Sequence, residues 1–318
     1  MKIFNLFFFL IFISQGITSQ NLNSRNDSVR ADVSLIILGT VQDGGSPHIG
    51  CSKSCCAGLF EEPDRNRKVV SLGVVDALND AKYLFEATPD ISFQMKALAQ
   101  RSTSPQQEVP DGIFLTHAHI GHYTGLMYLG KEAMGAKGVK VFAMPEMKSF
   151  LENNGPWDQL VSNGNIMITP IGKEEEISLS SHLKVIPLQV PHRDEYSETV
   201  GYRITGPNKT ALFIPDINKW HKWERDIKAE IGKADYAFLD ATFYDAAEIN
   251  NRDISEIPHP FIIESMSLFK DLSADEKKKI YFIHMNHTNP ALDVNSEQYS
   301  RILEKGFNVA RIYDEFRL

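Results

Sequence analysis

The stretch Phe114–Leu126, FLTHAHIGHYTGL, puts three histidines into six residues directly after a short apolar run. That run, GIFLT at Gly112–Thr116, has the length and composition of a buried strand, and GHYTGLMYLGKEAMG from Gly121 to Gly135 reads as a helix. A strand end that opens into a helix is a corner solvent can reach, so His117, His119 and His122 can converge on a cleft rather than in the core. His117 and His119 lie two positions apart and share a face in extended backbone. His122 follows from the first helical turn. Neutral imidazoles are the commonest zinc ligands, and two or three from one segment nearly fill a coordination shell.

Outward from this corner the same alternation continues. Strands are expected at Val33–Thr40, Val69–Asp76 and Lys82–Ala87 before it, each bounded by Gly, Pro, Asn or Asp. After it come LKVIPLQV, TVGYRITG, TALFIP, DYAFLD and KIYFIH, the last ending at His284. Helices are expected at Pro145–Asn154, Lys219–Gly232 and Ser296–Gly306. Strands in two groups with helices between and after them predict two sheets packed face to face and covered by helices, an α/β fold of the four-layer αββα kind.

Other ligand-type residues recur where strands end: His192 in LQVPHRDEYS, Asp216 in LFIPDINKW, and His284 and His287 in YFIHMNHTNP. Taken singly, each is an ordinary loop residue with a local hydrogen bond. As a set obeying one rule, they extend the histidine cluster into a metal site. Near the N-terminus, Cys51, Cys55 and Cys56 are the only cysteines. They could form one disulfide and leave an odd thiol, or commit all three to a metal. Metal binding is favoured, because three thiolates need one histidine to close a tetrahedral zinc site.

At the extreme N-terminus, Lys2 precedes an apolar stretch to Ile13 and then small and polar residues up to Ser19. This order predicts a secretory signal over residues 1–19, a polar lead-in over 20–31 and a single domain over 32–318. The mature protein is expected to be periplasmic or secreted, with no stable membrane insertion once the signal is cleaved. A formal charge of −8 gives no basic face for a nucleic-acid backbone, so a small-molecule substrate is the expected partner.

The order H-x-H-x-G-H, then His192, Asp216 and His284, resembles the metallo-β-lactamase fold superfamily. GTVQDGGSPHIGC and FIHMNHTNPAL narrow the resemblance to the coenzyme PQQ synthesis protein B family and the related cyclic phosphodiesterases, from about Leu35 to the C-terminus. The resemblance implies that His117, His119 and His192 form one metal position. It implies a second position using His122 and His284, with Asp216 bridging the two. It further implies a structural zinc held by Cys51, Cys55, Cys56 and His287. The departure is Gly121, where the superfamily usually has aspartate. Without that carboxylate the second ion is expected to be weaker, different or absent.

On this reading the chain is a zinc-dependent or other divalent metal-dependent hydrolase, with one or two active-site ions. Asp216 orients metal-activated water towards a phosphodiester or other ester. His259, where the phosphodiesterases carry an auxiliary histidine, is a candidate proton donor, or else a loop histidine beside two prolines. Asp240, at the end of DYAFLD, is a candidate for orienting a ligand histidine. The alternatives are a role in quinone cofactor synthesis and a non-catalytic metal-binding module.

Overall fold

The computed structural model describes Met1, residues 32–249 and residues 253–318. The expected signal segment and lead-in lie outside the described residues, apart from Met1. Six strands open the first sheet: β1 (Val33–Gly39), β2 (Ser71–Asp76), β3 (Ala81–Phe85), β4 (Gly112–Phe114), β5 (Val139–Ala143) and β6 (Ile166–Pro170). The second sheet holds β7 (Ile177–Ser178), β8 (Lys184–Gln189), β9 (Val200–Thr205), β10 (Thr210–Ile214), β11 (Tyr236–Asp240), β12 (Ile280–Ile283) and β13 (Asn308–Val309). The chain then returns to the first sheet, where β14 (Glu315–Arg317) pairs with β1.

Each sheet combines antiparallel hairpins with a parallel half. In the first, β3 through β6 run parallel, and in the second β10 through β13 do. Alternation along each strand then builds the layers. Leu35 and Ile37 of β1 face the second sheet, where they join Phe85, Phe114, Tyr202, Phe213 and Phe238 in a core between the sheets. Ile36 and Leu38 face the other way, onto a helical layer that includes Ile91, Met95 and Leu98. Leu212, Ile214 and Leu239 bury the far side of the second sheet under Trp220, Ile227, Ile262 and Ile302. The expected four-layer order is therefore present, and β4, shorter than the expected Gly112–Thr116 strand, lies between β3 and β5. Phe114 stacks between Phe85 and Phe142 at centroid distances of 4.7 and 4.2 Å.

The helix expected over Gly121–Gly135 is shorter and tighter. One α-turn, Ile120–Tyr123, passes into a 3₁₀ segment, Thr124–Leu129. The amide of Gly125 donates to the Ala87 carbonyl, and a Cβ at Gly125 would sit 2.1 Å from the Thr88 carbonyl oxygen, so this turn is pressed against the end of β3. The helix expected over Lys219–Gly232 is likewise divided, into Trp220–Lys222 and Ile227–Gly232. A helix over Ile91–Arg101, not anticipated from the sequence pattern, covers the first sheet.

Candidate metal centre

In parallel sheets the strand ends, not the strand middles, leave space for ligands. Here β4, β8, β10 and β12 deliver His117, His192, Asp216 and His284 from their carboxyl ends. His117 Nε2 lies 2.9 Å from His119 Nδ1, which lies 3.2 Å from His192 Nε2. Asp216 Oδ2 lies 3.4 Å from His117 Nε2 and 3.2 Å from His192 Nε2. Three imidazole nitrogens and a carboxylate oxygen, all within 4.8 Å of one another, form a donor set that fits one divalent cation.

The rings are held from behind. Thr116 Oγ1 is 2.9 Å from His117 Nδ1, and Glu195 Oε2 is 3.0 Å from His119 Nε2. The Ala118 amide donates to Ser197 Oγ at 2.9 Å, which ties the H-x-H segment to the loop carrying His192 and Glu195. Burial drives His117 well below the ordinary histidine range, with the positive charge on His122 acting in the same direction. His117 is thus a neutral donor. Asp216 Oδ1 is buried without a hydrogen bond, an arrangement that is costly unless something else satisfies the oxygen.

A second group lies beside the first. His122 Nε2 and His284 Nε2 are 3.0 and 3.1 Å from the same oxygen, Oδ1 of Asp43, and each is 3.9 Å from Asp216 Oδ2. The position that Gly121 leaves without a carboxylate of its own has Asp43 beside it. A Cβ built on Gly121 would lie 2.5 Å from Asp43 Cα and 2.8 Å from its Cβ and Cγ, so Asp43 fills the space that a residue at 121 would enter. Burial alone would lower His122, but Asp43 and Glu86 outweigh it and hold the ring well above its ordinary range. His284 is pushed up to about 9: Asp216 is the main charge opposing burial, helped by hydrogen bonds to Asp240 and Asp43. Protons and a cation are alternatives on these nitrogens.

Two residues here adopt left-handed backbone without being glycine, Glu86 at φ 79° and His284 at φ 65°. Each costs about 1 to 3 kcal/mol, and both are fully buried at the cluster. Glu86 Oε1 stands 3.1 Å from His122 Nδ1. On the far side, Asp240 accepts from the Thr242 amide and hydroxyl and lies 2.9 Å from His259 Nδ1. Because the Thr242 hydroxyl donates to Asp240, its oxygen is left to accept from His284 Nδ1, 3.0 Å away. Asp240 thus orients His284 through Thr242, as well as holding His259. His259 Nδ1 is also 3.2 Å from Asp216 Oδ1. Burial is opposed by Asp240 and Asp216, which together push His259 up to about 10.

Cys51, Cys55, Cys56 and His287 form a separate group within 4.8 Å. All three thiols are free, with Sγ separations of 3.9 and 4.0 Å along Cys51–Cys55–Cys56. Burial pushes Cys55 up to about 11 and His287 down to about 4. The His48 ring stacks on His287 at 4.3 Å, and the His48 amide points at Cys56 Sγ at 3.3 Å. Every residue proposed from the sequence as a ligand is thus in one of these groups. Asp43, Glu86 and Glu195 are the additions. Only Asp43 had a local signal, an aspartate before paired glycines in VQDGG.

Because Glu195 is half exposed, its support of His119 is modest. Glu195→Gln is expected to weaken the first cation by no more than about tenfold, while turnover at saturating metal changes less than about twofold. Chelator competition measures this. An effect as large as that of His119→Ala would rule out a merely orienting role.

Residues 81–285 match the family model described as Beta-lactamase superfamily domain. That span takes in the histidine clusters and Asp216 but leaves Asp43, the three cysteines and His287 outside. Coenzyme PQQ synthesis protein B of Methylorubrum extorquens (strain PA1) is 22% identical over 309 residues, covering 87% of this chain and 97% of its own length. Its counterpart in Methylococcus capsulatus is 24% identical over 303 residues, covering 86% and 96%. Among solved structures, Zn(2+)-bound PqqB from Methylobacterium extorquens has a TM-score of 0.72 at 21% identity, covering 90% of this chain and 100% of that one. A diphosphatase from the PhnP family has a TM-score of 0.64 at 23% identity, covering 90% and 98%. At these identities the structural likeness establishes the fold.

Proposed function

The chain belongs to the beta-lactamase superfamily, and from that premise we propose that it is a zinc-dependent hydrolase of a phosphodiester or other ester, acting after export from the cytoplasm. The observation that carries the reading is the convergence of His117, His119, His192 and Asp216 at strand ends, with His122 and His284 beside them. Zinc, when bound by these residues, would supply Lewis acidity and lower the pKa of water towards neutrality. The protein's own groups do the rest. His117, His119 and His192 present nitrogen donors, and Thr116 and Glu195 fix two of the rings. Asp216, buried and flanked by both histidine groups, is placed to orient the attacking water. His259, held between Asp216 and Asp240, is placed to return a proton to the departing oxygen. The Lys2-to-Ser19 pattern supports export, and among the described residues no helix is long and apolar enough to cross a membrane.

A part in quinone cofactor synthesis is the second reading. It is favoured by the near-complete coverage of relatives named coenzyme PQQ synthesis protein B. Leaving-group dependence tests the hydrolase. His259→Ala should slow phosphodiesters with poor leaving groups by about 10² to 10⁴, and those with nitrophenolate far less, because only the former need a proton. Metal-loaded protein inert towards both classes of ester would overturn the hydrolase reading. Equal slowing of both would remove His259 as the proton donor.

A further inference from the structure

We infer that Asp43 is a cation ligand, completing a second position with His122, Asp216 and His284 in place of a carboxylate at residue 121. The inference rests on the active site being a metal centre, and deepens that reading by adding a donor from outside the segment that matches the family model.

Three observations carry it. First, one oxygen of Asp43 meets both imidazoles at 3.0 and 3.1 Å, and the four donor atoms of the group lie within 4.8 Å of one another. The far nitrogens of both rings are already engaged, His122 Nδ1 by Glu86 and His284 Nδ1 by Thr242, so both Nε2 atoms are the ones presented to the shared space. Second, Gly121 is a steric condition for Asp43. Its backbone is not left-handed, so flexibility is not what selects glycine there. What selects it is the Asp43 backbone, 2.5 Å from where a Cβ would stand. Third, the Asp43 loop is built to one shape. The Gln42 amide donates to the Met285 carbonyl at 2.9 Å, beside His284. A Cβ on Gly44 would meet the His48 ring at 2.4 Å, and Gly45 has φ +73°. An acidic side chain needed only for solubility would not be fixed in this way.

The test is metal content. Wild type, Asp43→Asn, Gly121→Ala and His117→Ala are purified with zinc, dialysed, and assayed for zinc per chain and for affinity by chelator competition. Circular dichroism checks the fold. Wild type should keep one more active-site ion than Asp43→Asn, and the affinity for that ion should fall by at least about tenfold. Gly121→Ala should lose the same ion even though Asp43 is intact, because the added methyl displaces the loop. Asp43→Asn with wild-type zinc content and affinity would overturn the inference. So would a wild type that keeps a single active-site ion, and in that case the hydrolase reading would stand. Unchanged zinc content in His117→Ala would instead count against the metal centre itself.

Discussion

His117→Ala, or His119→Ala, is expected to lower any hydrolytic turnover by more than about a hundredfold and to release the first active-site ion. Removing a group that merely supports a ligand costs about ten- to a hundredfold in metal affinity, and removing the ligand costs more. His117 is 1% exposed and Asp216 3%, so the ligand lost is a buried one. The loss also leaves Asp216 Oδ2 with one fewer partner in a buried site. His221→Ala is the control, since that ring lies on a short 3₁₀ segment and belongs to none of the donor groups. His182→Ala is a poorer control. Its Nε2 lies 3.1 Å from Asp76, a carboxylate only 1% exposed, so that change exacts its own structural cost. Turnover that survives in His117→Ala, or that falls equally in His221→Ala, would sink the assignment.

Cys56→Ser should have the largest effect on stability. Cys56 is fully buried, its sulfur faces the His48 amide, and it shares its group with two other thiols and His287. A metal held by such a set contributes its binding free energy to folding. Loss of about 4 kcal/mol should lower the melting temperature by about 10 °C, with one zinc lost per chain. Because His48 stacks on His287 and packs on Gly44, the change should also loosen the loop bearing Asp43. A second, smaller loss of active-site zinc is therefore expected, which a purely local role for the cysteines would not produce. A melting temperature within about 2 °C of wild type would exclude a stabilising metal at this cluster.

The sheets and most of the donor set were legible because they rest on local pattern. Apolar runs ending in Gly, Pro or Asp mark strand ends, and His or Asp just beyond them marks the site. Asp43, Glu86 and Glu195 acquire their meaning from partners 79, 36 and 76 positions away, His122, His122 again and His119, and no window of sequence contains both members. The Gly121–Gly135 helix was overestimated for a related reason. Its periodicity is helical, but contact with the end of β3 shortens it. Helix Ile91–Arg101 was missed because Gln94, buried and donating to the Val69 carbonyl at 2.6 Å, breaks the apolar stripe.

The fit of Asp43 against Gly121 makes the two positions interdependent as a pair of mutable sites. Aspartate at 121 collides with the loop while Asp43 is in place, since the contact is with the Asp43 backbone. Loss of the Asp43 carboxylate alone leaves His122 and His284 with Asp216 as the one carboxylate facing both Nε2 atoms among the described residues. Neither single step is neutral, so the chain cannot drift one substitution at a time between this arrangement and one with aspartate at 121. Changing over requires the loop Gln42–Gly50 to be rebuilt together with residue 121. A sequence search keyed to H-x-H-x-D-H would pass over chains of this kind, whereas one requiring glycine there together with an aspartate in an N-terminal Asp-Gly-Gly turn would collect them.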